Sequence, residues 1–236
     1  MTKQAKFWVV IPAAGIGSRF GSTIPKQYLS LNGKPIIEHT LYKFLFHPKI
    51  EKIVIVLDSH DVFWQPLRLN HLSTKLILTT GGAERCHSVY AGLQALAVLA
   101  DPQDFVLVHD AVRPFVSQTD IDKLIETVGN HPVGGILGSR VRDTLKHINQ
   151  NNEITNTLAR ENIWQAMTPQ MFRFKLLFQA LQQVIMNRQC VSDEASAIET
   201  LGFIPMVVEG RRDNIKITYP EDLALAEKYQ HFLAEE

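Results

Sequence analysis

Four short runs in this chain read as wholly apolar, β-rich strands: Phe7-Trp8-Val9-Val10-Ile11, Ile53-Val54-Ile55-Val56-Leu57, Leu76-Ile77-Leu78 and Phe105-Val106-Leu107-Val108. A strand with one face in water alternates polar and apolar residues, whereas a strand with no polar position is buried on both faces. Such strands belong to a mainly parallel sheet flanked by helices, an α/β architecture. Their brevity and β-branching argue against buried helix segments. Helical periods fall between and after them, over residues 36–46, 84–99, 119–128, 175–186 and 194–201. In the second of these, Val89, Leu93, Leu96 and Ala97 share a face. A late strand is expected over 204–208. Pro220 then opens a final helix with Glu221 and Asp222 in its first turn, where the helix dipole favours acids.

The 236 residues suit one α/β domain, with 45% hydrophobic and 20% charged residues supplying a full core and an ordinary surface. Net charge is zero, which argues against a general nucleic-acid partner. No stretch is long enough to span a bilayer, and the N-terminus lacks the apolar region of a signal peptide, so the expected location is cytoplasmic, away from membranes. Cys86 and Cys190 have no metal-type spacing and read as free thiols of a reducing compartment.

Residues 141–158 break the alternation. Asp143-Thr144-Leu145-Lys146-His147-Ile148 and Glu153-Ile154-Thr155-Asn156-Thr157-Leu158 flank Asn149-Gln150-Asn151-Asn152, a β-hairpin pattern with asparagines suited to the turn. An isolated hairpin is marginal in water. It therefore packs on a second copy of the chain or lies on its own domain, and the pattern does not choose between them.

In an open α/β sheet, ligands bind beyond the carboxyl ends of the strands. After the first strand comes Pro12-Ala13-Ala14-Gly15-Ile16-Gly17-Ser18-Arg19-Phe20-Gly21, then Pro25-Lys26-Gln27. Glycines let backbone N–H groups approach an anion and the two cations neutralise it. The dinucleotide fingerprint fails because Phe20 occupies the third glycine's place. The P-loop fails because no Gly-Lys-Ser/Thr follows. What remains is a triphosphate loop with its own pattern. Beyond the third strand, Gly81-Gly82 before Arg85 and Ser88 is either a turn or a backbone contact for a base or ribose. Beyond the fourth, Asp110 is either a Mg²⁺ ligand or a partner of Arg113 or a helix end. His109 and His87 read as ordinary packed histidines. Ser192 reads as a cap for the helix at Glu194, with Asp193 assisting.

These segments occur in one order with Arg142-Asp143-Thr144, Thr168-Pro169-Gln170, Asp193-Glu194-Ala195-Ser196 and Asn214-Ile215-Lys216-Ile217-Thr218. Together they closely resemble the 2-C-methyl-D-erythritol 4-phosphate cytidylyltransferase family over about residues 6–230. The resemblance implies a Rossmann-like nucleotidyltransferase fold forming one domain over 1–236. It also implies a protruding β-arm at 141–160 that exchanges contacts in a homodimer, and a reaction of CTP with the sugar phosphate that releases pyrophosphate. By matched position, Arg19, Lys26, Lys216 and Arg160 are the catalytic cations. Ala13, Ala14, Gly15, Gly17, Gly82, Ser88 and Asp110 hold the nucleotide, and Asp110 meets Mg²⁺. Arg113, Thr144, Arg160, Thr168, Ser192 and Lys216 position the sugar phosphate, some across the dimer. Ala83 stands where some members carry an acid, and Ser192 where some carry threonine.

The chemistry is self-consistent. The attacking phosphate oxygen is already largely ionised, with a second pKa of about 6, so no protein base is needed. The barrier is electrostatic, and cations lower it. Ribitol 5-phosphate cytidylyltransferase is the nearest alternative. A non-catalytic nucleotide-binding regulator is the alternative from another class.

Overall fold

The computed structural model describes residues 5–15, 20, 23–67, 69 and 74–235, with side chains as far as residue 231. A seven-stranded sheet runs through the molecule in the order β11-β7-β10-β6-β1-β4-β5. Its strands are β1 (Phe7–Pro12), β4 (Ile50–Leu57), β5 (Leu76–Thr80), β6 (Phe105–Val108), β7 (Gly134–Arg140), β10 (Trp164–Arg173) and β11 (Met206–Glu209), while β2 (Ser30–Leu31) and β3 (Lys34–Pro35) form a small ladder of their own. β1, β4, β5 and β6 pair in parallel, as do β7 and β11. β10 is antiparallel to both β6 and β7. The expected mixed, mainly parallel sheet is therefore present. The apolar runs form the strands assigned to them, and Val9, Val10, Ile55, Val106 and Leu107 are wholly buried.

The chain leaves β1 for β4 and β5 on one side, then returns to β6 on the other. The carboxyl ends of β1 and β6 thus flank the point where the winding reverses, the place where such sheets open a crevice. Helices α2 (Arg85–Leu96), α4 (Phe174–Met186) and α5 (Glu194–Glu199) cover one face, joining one buried cluster with Trp8, Val10, Val56 and Val106. Helices α1 (Ile36–Leu45) and α3 (Gln118–Val128) pack on the other, against Val9, Ile11, Ile55 and Leu107. The final helix, α6 (Pro220–Glu235), closes a third cluster with Val112, Phe115 and Ile217. Helix α2 ends earlier than its periodicity suggested, so Ala97 is exposed while Val89, Leu93 and Leu96 are buried.

Strands β7 and β10 have no counterpart in the sequence expectations. β7 is Gly-Gly-Ile-Leu-Gly-Ser-Arg, poor in β-formers. It needs small residues because β10 and β11 close on it. Gly134 has φ +137°, and a Cβ there would lie 2.3 Å from the Met171 carbonyl oxygen. β10 contains Pro169, and proline rarely enters a central strand. Here it sits in an interruption: pairing with β7 breaks between Ala166 and Gln170, and pairing with β6 starts at Gln170.

The hairpin is β8 (Leu145–Ile148) with β9 (Ile154–Leu158), a separate two-stranded sheet with the register Leu145↔Leu158. Asn149 Oδ1 accepts the backbone N–H groups of Asn151 and Glu153, and Asn152 takes a positive φ of 63°. All of β9 is exposed, as is β8 after Leu145. The hairpin therefore does not lie buried against its own sheet. Ile148 and Ile154 stand open at 48% and 64%.

Candidate active site

Beyond the ends of β1, β5 and β6 lies a cleft of about 540 Å³, within the range of small-molecule sites. Its first wall is Pro12, Ala13, Ala14 and Gly15 from the end of β1, followed by Lys26 and Gln27. The Ala13 N–H donates to the Val56 carbonyl at 2.8 Å, which continues the β1–β4 ladder by one bond. Gln27 is buried and its amide donates to the Ala13 carbonyl at 2.6 Å. This amide holds the loop shape, a role not legible from its place beside Lys26 in the sequence. Gly17 and Arg19 lie outside the described residues.

The second wall is Gly82, Ala83, Glu84, Arg85 and Ser88. Gly81 is a close approach, not merely a turn: a Cβ there would lie 2.7 Å from both Ala14 Cβ and Ser88 Oγ. The Ser88 hydroxyl is buried against the Gly82 N–H, at 3.3 Å. The two backbone segments expected to hold a nucleotide are thereby packed side by side.

The floor is ionic. Asp110, 6% exposed, presents Oδ2 to Lys216 Nζ at 2.9 Å and to Arg113 Nε at 3.3 Å. Its Oδ1 takes Arg85 at 3.3 Å. Arg85 in turn makes a two-pronged pair with Glu194, at 2.5 and 3.1 Å. Burial alone would raise the Asp110 pKa. The charges of Arg85, Lys216 and Arg113 outweigh burial and hold it far below the usual carboxylate range. Two carboxylates against three cations leave the cluster one positive charge in excess. As arranged, the residues do not fit a metal ion held by Asp110, because both carboxylate oxygens already face cations. The cluster instead suits an incoming anion. Arg85 and Glu194 both fall within the ordered motifs of the sequence, which assign neither a role. Their pairing spans 109 residues, which no local pattern reveals.

His109, wholly buried, has its pKa pushed down to about 4 by burial, so its ring is neutral. Nε2 lies 3.1 Å from the Arg113 carbonyl and must donate to it. Nδ1 then accepts the Thr168 hydroxyl at 3.0 Å. The same Thr168 oxygen accepts the Asp110 N–H at 3.1 Å. Thr168, expected among the sugar-phosphate residues, is thus buried with its hydroxyl engaged at both ends, fixing the backbone of Asp110. Arg113 is similarly committed, to Asp110 and to the Asn214 carbonyl at 2.7 Å. Asn214 Nδ2 donates to the Thr168 carbonyl at 2.8 Å, and Ile217 N–H to the Val112 carbonyl. These bonds tie the 214–218 segment to the end of β6 and deliver Lys216 to the cleft.

Three expected residues stand apart. Thr144 and Arg160 are exposed on or beside the hairpin and do not line the cleft. Ser192 is exposed too. The cap of α5 is Asp193, whose side chain accepts the Ser196 N–H, with the Ser196 hydroxyl completing a capping box. Ser192 hydrogen-bonds to that hydroxyl through both its N–H and its own hydroxyl, so the expected division of labour between Ser192 and Asp193 is reversed.

A model of the 2-C-methyl-D-erythritol 4-phosphate cytidylyltransferase family matches residues 7–231. The chain is similar to the protein of that name from Vibrio parahaemolyticus, 47% identical over 220 residues and 93% of each chain. It is 49% identical over 222 residues to the one from Vibrio atlanticus, again over 93% of each chain. Among solved structures, that of the Francisella tularensis 2-C-methyl-D-erythritol 4-phosphate cytidylyltransferase superposes with a TM-score of 0.81 at 39% identity, covering 96% of this chain and 100% of that one. The Thermus thermophilus enzyme of the same name gives 0.77 at 29% identity, covering 96% and 99%. A strand-end cleft of this charge, and likeness over nearly the whole length, lead to one conclusion: the chain belongs to the 2-C-methyl-D-erythritol 4-phosphate cytidylyltransferase family.

Proposed function

We propose that this chain joins CTP to 2-C-methyl-D-erythritol 4-phosphate, giving 4-diphosphocytidyl-2-C-methyl-D-erythritol and pyrophosphate, a step of isoprenoid precursor synthesis. The observation that carries the reading is the meeting of Lys26, Lys216 and the Ala13–Gly15 and Gly82–Ser88 backbones in one cleft. A phosphate oxygen of the sugar phosphate attacks the α-phosphorus of CTP. The bond from that phosphorus to the bridging oxygen breaks, and pyrophosphate leaves with the electron pair. No proton has to be taken from the nucleophile, which accords with a buried His109 that is neutral and hydrogen-bonded through both ring nitrogens.

In this proposal Ala13, Ala14, Gly15, Gly17, Gly82 and Ser88 hold the cytidine. Lys26 and Arg19 stabilise charge on the transferring phosphate, and Lys216 draws in the attacking one. Asp110 orients Lys216. Mg²⁺, where it takes part, would come with the triphosphate and would offset its charge, and no protein ligand is assigned to it. The 236 residues work as one nucleotidyltransferase domain, with residues 141–160 as a dimerisation arm. The exposed Ile148 and Ile154 support that role, because an apolar arm left in water gains by burial against a second copy. Thr144 and Arg160 then reach the partner's sugar phosphate, and Arg113, Thr168 and Ser192 support that side of the site. No helix among the described residues is long and apolar enough to cross a membrane, and a cytoplasmic location belongs to the proposal.

Pyrophosphate release measured with each of the four common nucleoside triphosphates, and with methylerythritol phosphate or ribitol 5-phosphate as acceptor, tests the reading. Turnover is expected with CTP and methylerythritol phosphate. Faster turnover of ribitol phosphate would move the chain to the alternative enzyme. No release with either acceptor would make it a nucleotide-binding regulator. Sedimentation is expected to show a dimer that becomes a monomer when the arm is shortened to a tight turn.

A further inference from the structure

Glu194 is 1% exposed and does not line the cleft, yet it is one interaction removed from groups that do. Its carboxylate engages both terminal nitrogens of Arg85. The remaining reach of that guanidinium goes to Asp110 Oδ1, and Asp110 Oδ2 goes to Lys216. Glu194 is itself fixed to the sheet. Its neighbour Ala195 donates its N–H to Gln170 Oε1 at 2.9 Å, and Gln170 Nε2 donates to Asp193 at 2.9 Å. Gln170 lies on β10, directly opposite Val108 at the end of β6.

Arg85 lines the cleft with its side chain 30% exposed. A guanidinium in that place has two possible takers, the protein carboxylates behind it and the phosphates of an incoming nucleotide. Its planar fork suits both equally. The two-pronged bond to a buried carboxylate decides between them. We infer that Glu194 is a positioning residue of the transfer reaction: it restrains Arg85 on the protein side of the cleft, so that Asp110 stays turned to Lys216 and Arg85 does not capture the nucleotide's phosphates in an unproductive pose. The inference rests on the nucleotidyl-transfer reading above.

Its consequence is specific. Without the Glu194 charge, Arg85 is released towards phosphate. Nucleotide binding in the ground state is kept or strengthened, while the alignment of Lys216 with the reacting phosphate is lost. Turnover then falls without a rise in KM. A residue that merely supported the fold would raise KM and lower Tm together with kcat.

The test is steady-state kinetics of pyrophosphate release from CTP for wild type, Glu194→Gln and Glu194→Gln/Arg85→Gln, with a melting curve for each. Glu194→Gln is expected to lower kcat about tenfold or more, with KM for CTP unchanged or reduced. Adding Arg85→Gln is expected to restore most of kcat, because the stray guanidinium is gone. If Glu194→Gln does not fold, Glu194→Asp, which keeps the charge but falls one methylene short, is expected to show the same pattern at smaller size. The inference is overturned if Glu194→Gln matches wild type, if KM for CTP rises in step with the loss of kcat, or if Arg85→Gln adds a further loss. Failure of the parent reading looks different: wild type itself then releases no pyrophosphate.

Discussion

Replacing Asp110 with asparagine separates a carboxylate that organises cations from one that holds a metal. The side chain is nearly isosteric, so the change is one of charge. In the folded protein that charge faces Lys216 at 2.9 Å and Arg113 and Arg85 at 3.3 Å. Removing one partner of a buried ion pair costs about 3–5 kcal/mol. Lys216 and Arg85 are 37% and 30% exposed, so water takes over part of the lost interaction. Glu194 remains to neutralise Arg85. A loss of about 2–3 kcal/mol is therefore expected, equivalent to a fall of about 5–10 °C in Tm for a chain of this length. Turnover should fall because Lys216 loses its orienting anion. The Mg²⁺ concentration giving half-maximal rate should stay where it was. The assays are thermal melting and pyrophosphate release titrated against Mg²⁺. An unchanged Tm together with a raised Mg²⁺ requirement would refute the reasoning and make Asp110 a metal ligand.

Three further outcomes are expected. His109 is neutral when folded, with its pKa lowered to about 4, whereas an unfolded histidine titrates near 6.5. The unfolded state therefore binds the extra proton first. Stability should fall as the pH drops from about 6.5 towards about 4, by about 3 kcal/mol in all, a slope visible in urea titrations. Gly134→Ala forces a side chain against the Met171 carbonyl at φ +137° and should cost more than about 2 kcal/mol, read from the same titrations. Gln27→Ala frees the buried Ala13 carbonyl and loosens the loop, so KM for CTP should rise several-fold while Tm falls by a few degrees, checked by kinetics and melting.

The parts of the fold that could be read from the sequence are those where one physical rule dominates. Phe105–Val108 has no polar residue, and a strand buried on both faces admits none. Strands β7 and β10 were missed because two rules conflict in each. Gly134, Gly135 and Gly138 weaken β-propensity, yet neighbouring backbone leaves no room for larger residues. Pro169 signals a break, and a break in the β7 pairing is what accommodates it. In the site, cations and an acid at strand ends could be found from topology alone. Which group faces which could not. Arg85 follows β5 and Glu194 begins α5, and only the packing of α2, α4 and α5 on one face brings them together. Thr168 shows the converse: its place in a matched motif pointed to substrate, while its hydrogen bonds serve His109 and Asp110.

The most direct test of a cleft that works by stabilising charge on a transferring phosphate is the pair of constants kcat and KM for Lys26→Ala with CTP. Lys26 lines the cleft beside the Ala13–Gly15 backbone. A fall in kcat of about 10²–10³-fold, with KM for CTP within about threefold of wild type, is the result expected of a group acting mainly in the transition state. A raised KM with kcat preserved would contradict it and make Lys26 a simple anchor for the triphosphate.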